Sequence, residues 1–123
     1  RQHSITRIID VFPAEEQQSV RLQLSLTLIG VIVQQLIPGI GSNSRALATE
    51  VMISSPAIQN LIRENNLQQI HAVMETGTKL GMCTMNQSLA ELLSKGKIGL
   101  RVALSNSADP EELRRLAIKK GML

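Results

Sequence analysis

The first residues of the chain predict a short amphipathic helix. Residues 4–12 place apolar side chains at the spacing that forms one face of an α-helix. These apolar residues are Ile5, Ile8, Ile9 and Phe12. Pro13 ends the helix, because proline has no amide hydrogen to donate and restricts the residue before it.

A second helix is predicted from Ala14 towards Gln35. Glu15 and Glu16 are favourable at its start, because the N-terminal end of a helix carries a partial positive charge. Its later part, residues 26–33, is apolar on nearly every side. We therefore expect this part to be covered on more than one face.

Residues 38–44 interrupt the helical pattern with a dense turn signal, Pro-Gly-Ile-Gly-Ser-Asn-Ser. Residues 33–37 precede it, and residues 45–54 follow with apolar and polar positions in alternation, so the pattern predicts a β-hairpin. Two strands alone are marginally stable in water, and the chain offers no obvious third strand. We expect this hairpin to belong to a larger sheet.

Five further helices are predicted after residue 54 from their start and stop signals. Ser55 with Pro56 begins the first, and Thr84 with Gln87 forms a capping box before the third. In chain order they cover residues 55–65, 67–76 (stopped by Gly77), 84–96, 100–104 and 109–121. The sequence thus predicts a mainly α-helical fold with one β-hairpin.

Composition narrows the function classes. The 123 residues suit one domain, and with one Phe and no Tyr or Trp the chain lacks the aromatic side chains that stack on single-stranded nucleic acid. The net charge is +3, and the densest basic stretch is best interpreted as a solvated helix face. That stretch comprises Arg114, Arg115, Lys119 and Lys120. No apolar run has transmembrane length, and a single cysteine gives no internal disulfide, so we expect a cytoplasmic protein.

Three patterns invite a chemical interpretation, and for each a structural one is favoured. Gly39-x-Gly41-Ser42 lacks the lysine of a phosphate loop and leads into a strand, which indicates a hairpin turn. His71 and Glu75 lie one helical turn apart without the second histidine of a zinc-protease helix. Cys83 has no histidine near it in sequence and is interpreted as a buried residue. We predict no catalytic, cofactor-binding or metal-binding residue.

Methionine is the other notable apolar residue. Three of the five methionines lie between residues 74 and 85, where they are able to form an adaptable binding surface or to fill a core that has few aromatic side chains. Core filling is the favoured interpretation.

Three stretches of the chain resemble one protein family in order and spacing. They are residues 7–13 (Arg-Ile-Ile-Asp-Val-Phe-Pro), residues 20–25 (Val-Arg-x-Gln-Leu-Ser), and residues 55–64 with 74–85. The family is that of the type IV pilus retraction ATPases, the twitching-motility branch of the secretion ATPase superfamily. The likeness covers most of the chain and weakens after about Gly99.

The resemblance assigns a role to one segment that is otherwise an ordinary amphipathic helix. This retraction motif comprises Ala57, Ile58, Gln59, Asn60, Leu61, Ile62, Arg63 and Glu64. It resembles the family signature linked to pilus retraction rather than to nucleotide turnover. Gln59 stands where the family usually has arginine, which leaves Arg63 as the only cation of the motif.

The resemblance also implies an architecture and partners. Residues 1–54 correspond to the end of a RecA-like ATPase domain, and residues 55–123 to a C-terminal helical subdomain. The family's phosphate loop, acidic boxes and histidine box lie upstream of Arg1, so this chain alone is expected not to be an enzyme. ATP and magnesium are expected only in the intact parent. Expected partners are neighbouring subunits of a homohexamer and the pilus machine at the inner membrane, without nucleic acid or membrane insertion.

Two other functions remain open at this stage. One is a free-standing helical oligomerisation or interaction domain that assembles through the apolar residues 26–33. The other is a weak nucleic-acid binder, suggested by the positive net charge.

Overall fold

The computed structural model describes residues 4–121. In chain order the helices and strands are α1 (Ser4–Asp10), α2 (Ala14–Thr27), β1 (Gly30–Pro38), β2 (Arg45–Ile53), α3 (Pro56–Arg63), α4 (Ile70–Glu75), α5 (Met85–Ser94), α6 (Leu100–Ser105) and α7 (Pro110–Lys119). The mainly helical fold with one hairpin is therefore confirmed. Two short 3-10 turns, Leu67–Gln69 and Thr78–Leu80, flank α4.

The chain divides into two compact units, each with its own core. Unit 1 contains residues up to Val31 together with Val51–Met82, and unit 2 contains Ile32–Glu50 together with the residues from Cys83 onwards. The predicted domain boundary after residue 54 refers to the parent ATPase and stays a prediction.

Unit 1 is a helical cluster in which α2 packs on α1 and α3, and α3 packs on α4. Helix α1 ends at Asp10, before the predicted end at Phe12. Of its predicted apolar positions Ile5 and Ile9 are buried and Ile8 is exposed, while Phe12 is exposed beyond the helix. The core of unit 1 comprises Ile5, Ile9, Met52, Ile58, Ile62, Ile70, Met74 and Met82.

The second helix is shorter than predicted, because it ends at Thr27 rather than near Gln35. Leu28 already has an extended backbone, and its amide closes the helix on the carbonyl of Leu24 at 2.9 Å. The residues that follow are rich in β-branched side chains and include Gly30, which favours a strand over a helix. The apolar run was wrong as a helix: only its first two residues lie in α2, and residues 30–33 lie in β1.

The predicted hairpin is confirmed as a two-stranded antiparallel sheet. Its strand β1 begins three residues earlier than the sequence pattern indicates, at Gly30. Near the turn, the amide of Gly39 donates to the carbonyl of Ser44 at 2.9 Å. Gly41 (φ +104°) and Asn43 (φ +59°) supply the left-handed backbone that the connection requires.

Unit 2 is built around α5, which packs on α6 and α7. Its core comprises Ile37, Ala48, Met85, Leu89, Ala90, Leu93, Ile98, Ala103, Leu113 and Ala117. The capping box at Thr84 is confirmed, since the Thr84 hydroxyl accepts from the Gln87 amide at 3.1 Å and the Gln87 side chain accepts from the Thr84 amide at 3.0 Å. From strand β2, the Glu50 carboxylate accepts from the amide of Met85 at 3.1 Å, where a negative charge stabilises the helix start.

A buried amide connects the starts of α5 and α7. Asn86 is only 6% exposed, and its Nδ2 donates to the carbonyl of Asp109 and to Oε1 of Glu112, both at 3.0 Å. Its Oδ1 accepts from the Ser107 hydroxyl at 2.6 Å. Because each polar atom of this side chain is satisfied, the network fixes the loop before α7.

The helix predicted over residues 67–76 is divided, although it ends directly before Gly77 as predicted. Leu67–Gln69 is a 3-10 turn, and α4 covers only Ile70–Glu75. Gly77 has φ −92°, so it is not in the left-handed conformation that a glycine after a helix often adopts. Glycine is needed there for space instead, because a Cβ at this position would lie 3.0 Å from Sδ of the buried Met82.

Candidate functional site

The retraction motif forms helix α3 and its C-terminal cap. Ser55 begins the helix as predicted, with its hydroxyl accepting from the amide of Ile58 at 3.3 Å, and Pro56 occupies the first turn. Glu64 is the C-cap, and Asn65 leaves the helix with φ +59°. All eight motif residues therefore lie on one short element with defined ends.

The apolar residues of the motif hold α3 in unit 1. Ile58 and Ile62 are fully buried, and Leu61 packs against the same core. Helix α2 lies against α3. The apolar stripe seen in the sequence is thus committed to the core of unit 1.

The opposite side of α3 is exposed and mostly polar. It consists of Ala57, Asn60, Arg63 and Glu64, which we call the outer face of α3. Oδ1 of Asn60 accepts a hydrogen bond from the Arg63 guanidinium one turn later, so the cation is held by its own helix. Gln59, at the position where the family usually has arginine, is half-buried.

The sequence pattern already separates the two sides of this segment. Ile58, Leu61 and Ile62 form one apolar stripe, and the polar residues Asn60, Arg63 and Glu64 lie beside it. The sequence did not show whether the apolar stripe packs in the core of this chain, because an amphipathic helix is equally able to dock its apolar side on a partner.

The other residues singled out in the sequence lie in the hairpin connection, on α4 and in the cores of the two units. Gly39, Gly41 and Ser42 form the hairpin connection. His71 and Glu75 are exposed on α4, with Nε2 and Oε1 3.6 Å apart. The three methionines between residues 74 and 85 are buried, in agreement with core filling.

Cys83 is half-buried and is kept in its protonated form. Its Sγ donates to the carbonyl of Thr84 at 3.3 Å. Burial, then the negative charges of Glu50 and Glu91, raise the pKa of the thiol. Because the thiolate is the reactive form, these surroundings do not suit a nucleophile.

The raised pKa of Cys83 predicts how the stability of the fold depends on pH. Below the ordinary pKa range of a thiol, Cys83 is protonated in both the folded and the unfolded chain. As the pH rises through that range, the unfolded chain loses the proton before the folded chain does, so the free energy of unfolding falls. We expect urea unfolding midpoints to fall more between neutral and alkaline pH for the native sequence than for Cys83→Ser. Equal pH profiles for the two proteins would contradict this assignment.

No helix within residues 4–121 is both long enough and apolar enough to cross a membrane. No family model matches the chain. It is 42% identical over 110 residues to a twitching motility protein of Neisseria gonorrhoeae, a match that covers 89% of this chain and 29% of that protein. It is 45% identical over 108 residues to the type IV pilus retraction ATPase PilT of Pseudomonas aeruginosa, with 88% and 31% covered.

Solved structures show the same likeness. The pilus retraction motor PilT with bound ADP superposes with a TM-score of 0.80 at 46% identity, and the match covers 91% of this chain and 31% of that one. The ATPase DotB of Legionella pneumophila, 17% identical with a TM-score of 0.63, shares the fold.

These matches identify the class of protein by its fold and then the branch of that class by sequence identity. The fold is that of the C-terminal part of a RecA-like motor ATPase. Within that class, the chain is homologous to the C-terminal region of the PilT-type pilus retraction ATPases, as its three sequence stretches predicted. It spans about 30% of the length of the curated relatives named above.

Proposed function

We propose that this chain is the C-terminal part of a hexameric cytoplasmic ATPase that powers type IV pilus retraction. In this role it supplies subunit packing and the outer face of α3, whereas catalysis belongs to the upstream part of the protein. The observation that carries the proposal is the 42–46% identity to a twitching motility protein and to PilT retraction ATPases over about nine-tenths of the chain. The partners are neighbouring subunits and the pilus machine at the inner membrane.

The hairpin supports a continuation of the sheet beyond this chain. On the side of the hairpin facing away from the core of unit 2, Ile32 (66% exposed), Leu36 (67%) and Leu47 (47%) lie open to solvent. Burying apolar surface of this extent is favourable, and a two-stranded sheet alone is marginal. In our proposal residues 1–54 complete a RecA-like domain whose upstream strands cover this surface, and residues 55–123 form the helical subdomain.

Measurements of ATP binding and hydrolysis test whether catalysis belongs to the upstream part of the protein. ATP and magnesium are assigned to the upstream part, so we expect turnover by the intact parent and none by this chain. Contaminant-free hydrolysis by the chain alone would contradict the assignment of catalysis. An inactive but folded parent would contradict the proposed ATPase function.

The retraction role is tested on the outer face of α3. In the intact parent, replacing Asn60 and Arg63 by alanine is expected to impair twitching motility while ATP turnover stays near the native rate, because neither side chain contributes to a core. Gln68→Ala, an exposed polar change in the following 3-10 turn, is the matched control. Native motility of the double variant at normal protein levels would contradict a role for this face.

Leu61 and Ile62 suit this test less well. Because Ile62 is fully buried, replacing both residues by alanine loses stability as well as any docking function. The exposed polar residues separate the two effects.

A free-standing helical interaction domain is the alternative. Its proposed assembly element, a helix over residues 26–33, is replaced by the end of α2 and the start of β1. Exposed Leu26 (69%) and Ile29 (84%) still favour some apolar contact there. A well-behaved monomer in analytical ultracentrifugation would argue against self-assembly.

A further inference from the structure

Charge is unevenly distributed between the two units. Unit 1 has five basic and five acidic residues, whereas unit 2 has eight basic and five acidic ones, so the whole net charge of +3 belongs to unit 2. Helix α7 separates its charges along its length, since its acidic residues, Glu111 and Glu112, are confined to the first turn. After Glu112 the sequence contains four cations and no acidic residue.

The cations lie on the solvent side of α7 and surround an exposed isoleucine. Leu113 and Ala117 are fully buried and anchor the helix in unit 2. The opposite side exposes Ile118, which is 58% accessible, with arginines three and four positions before it and a lysine directly after it. We call this surface the basic face of α7; it consists of Arg114, Arg115, Ile118 and Lys119.

The cations of this face are not neutralised by neighbouring carboxylates. Lys120, just beyond it, contacts Glu91 at 3.2 Å, and Lys95 contacts the same carboxylate at 3.4 Å. Hydrogen bonds from Lys120 and Lys95 lower the pKa of Glu91, which therefore stays charged. Within residues 4–121, by contrast, no acidic group lies within ion-pair distance of the three cations of the basic face.

We propose that the basic face of α7 binds an anionic phospholipid surface. Three cations without an ion-pair partner within residues 4–121, placed around an exposed aliphatic side chain, combine attraction to lipid phosphates with shallow apolar contact. A solvated helix face, as the sequence alone suggested, does not require an isoleucine at its centre. Nucleic acid fits less well because the chain has a single aromatic residue for base stacking. This binding is peripheral and does not depend on the proposed ATPase function.

The test is sedimentation of the chain with vesicles of phosphatidylcholine, with and without about 30% phosphatidylglycerol. We expect binding only to the anionic vesicles and its loss at high salt. Since each cation near such a surface contributes about fivefold in partitioning, the pair Arg114→Gln and Arg115→Gln is expected to weaken binding about 30-fold. Ile118→Ser should weaken it further, whereas Ile118→Leu should not.

The matched control removes the same charge from exposed positions of unit 1, with Arg7→Gln and Lys79→Gln. Circular dichroism verifies that every variant is folded. An equal loss of binding in this control would mean that net charge alone is responsible, and would overturn the proposal. So would absence of binding by the native chain, equal binding to neutral vesicles, or binding to polyglutamate without binding to vesicles, which would assign the face to an acidic protein.

Discussion

Replacing Ile62 by alanine is expected to lower the free energy of unfolding by about 2–5 kcal/mol, although the residue belongs to a motif associated with function. The Ile62 side chain is fully buried in the core of unit 1, where Ile58 and Met74 are also buried. Truncation removes buried methylene and methyl groups and leaves a cavity that the surrounding helices fill only partly. Urea denaturation followed by circular dichroism measures the loss.

Asn60→Ala is the control within the same helix. Asn60 is exposed and its hydrogen bond to Arg63 lies at the surface, so we expect a change of no more than about 0.5 kcal/mol. If Ile62→Ala were as mild as Asn60→Ala, the apolar side of α3 would not be anchored in a core. The division of the motif into an inward and an outer face would then be wrong.

Leu89→Ala is expected to have an effect of similar size, about 2–5 kcal/mol, in unit 2. Leu89 is fully buried in α5, the helix that packs on α6 and α7. Its truncation therefore opens a cavity in the middle of that unit. Chemical denaturation gives the free energy, and hydrogen exchange is expected to show the loss of protection first in α5 and α7.

Leu80→Ala provides the same chemical change at an exposed position. Leu80 is 61% exposed in the 3-10 turn after α4, so its truncation leaves no internal cavity and is expected to cost at most about 0.5 kcal/mol. Comparable losses for Leu89→Ala and Leu80→Ala would contradict the packing described for unit 2.

Local signals in the sequence identified most element starts correctly. Ser55 with Pro56, the Thr84–Gln87 capping box and Asp109 with Pro110 all begin helices as predicted, because a capping side chain satisfies backbone amides within three residues of itself. The three family-like stretches likewise predicted the homology that the comparisons confirmed. Interactions over such short distances are contained in the sequence pattern itself.

The prediction was wrong where a short apolar segment suited two structures. Residues 28–35 read as the continuation of α2, yet Leu28 is extended and β1 begins at Gly30. Periodicity does not distinguish a buried helix from a strand in a run this short, and the choice depends on pairing with β2. Gly77 follows the end of α4 as predicted, but the close approach of Met82 that requires glycine there arises only from the fold.

The sequence by itself determined the helix caps, the hairpin turn, the mainly helical class and the relation to the pilus retraction ATPases. The tertiary structure alone decided which side of each helix is free. It buries Ile58 and Ile62 and exposes Asn60 and Arg63 on α3, and it leaves Ile118 among the cations of α7. The physical reason is that helical spacing defines a face, whereas burial depends on what the rest of the chain packs against it.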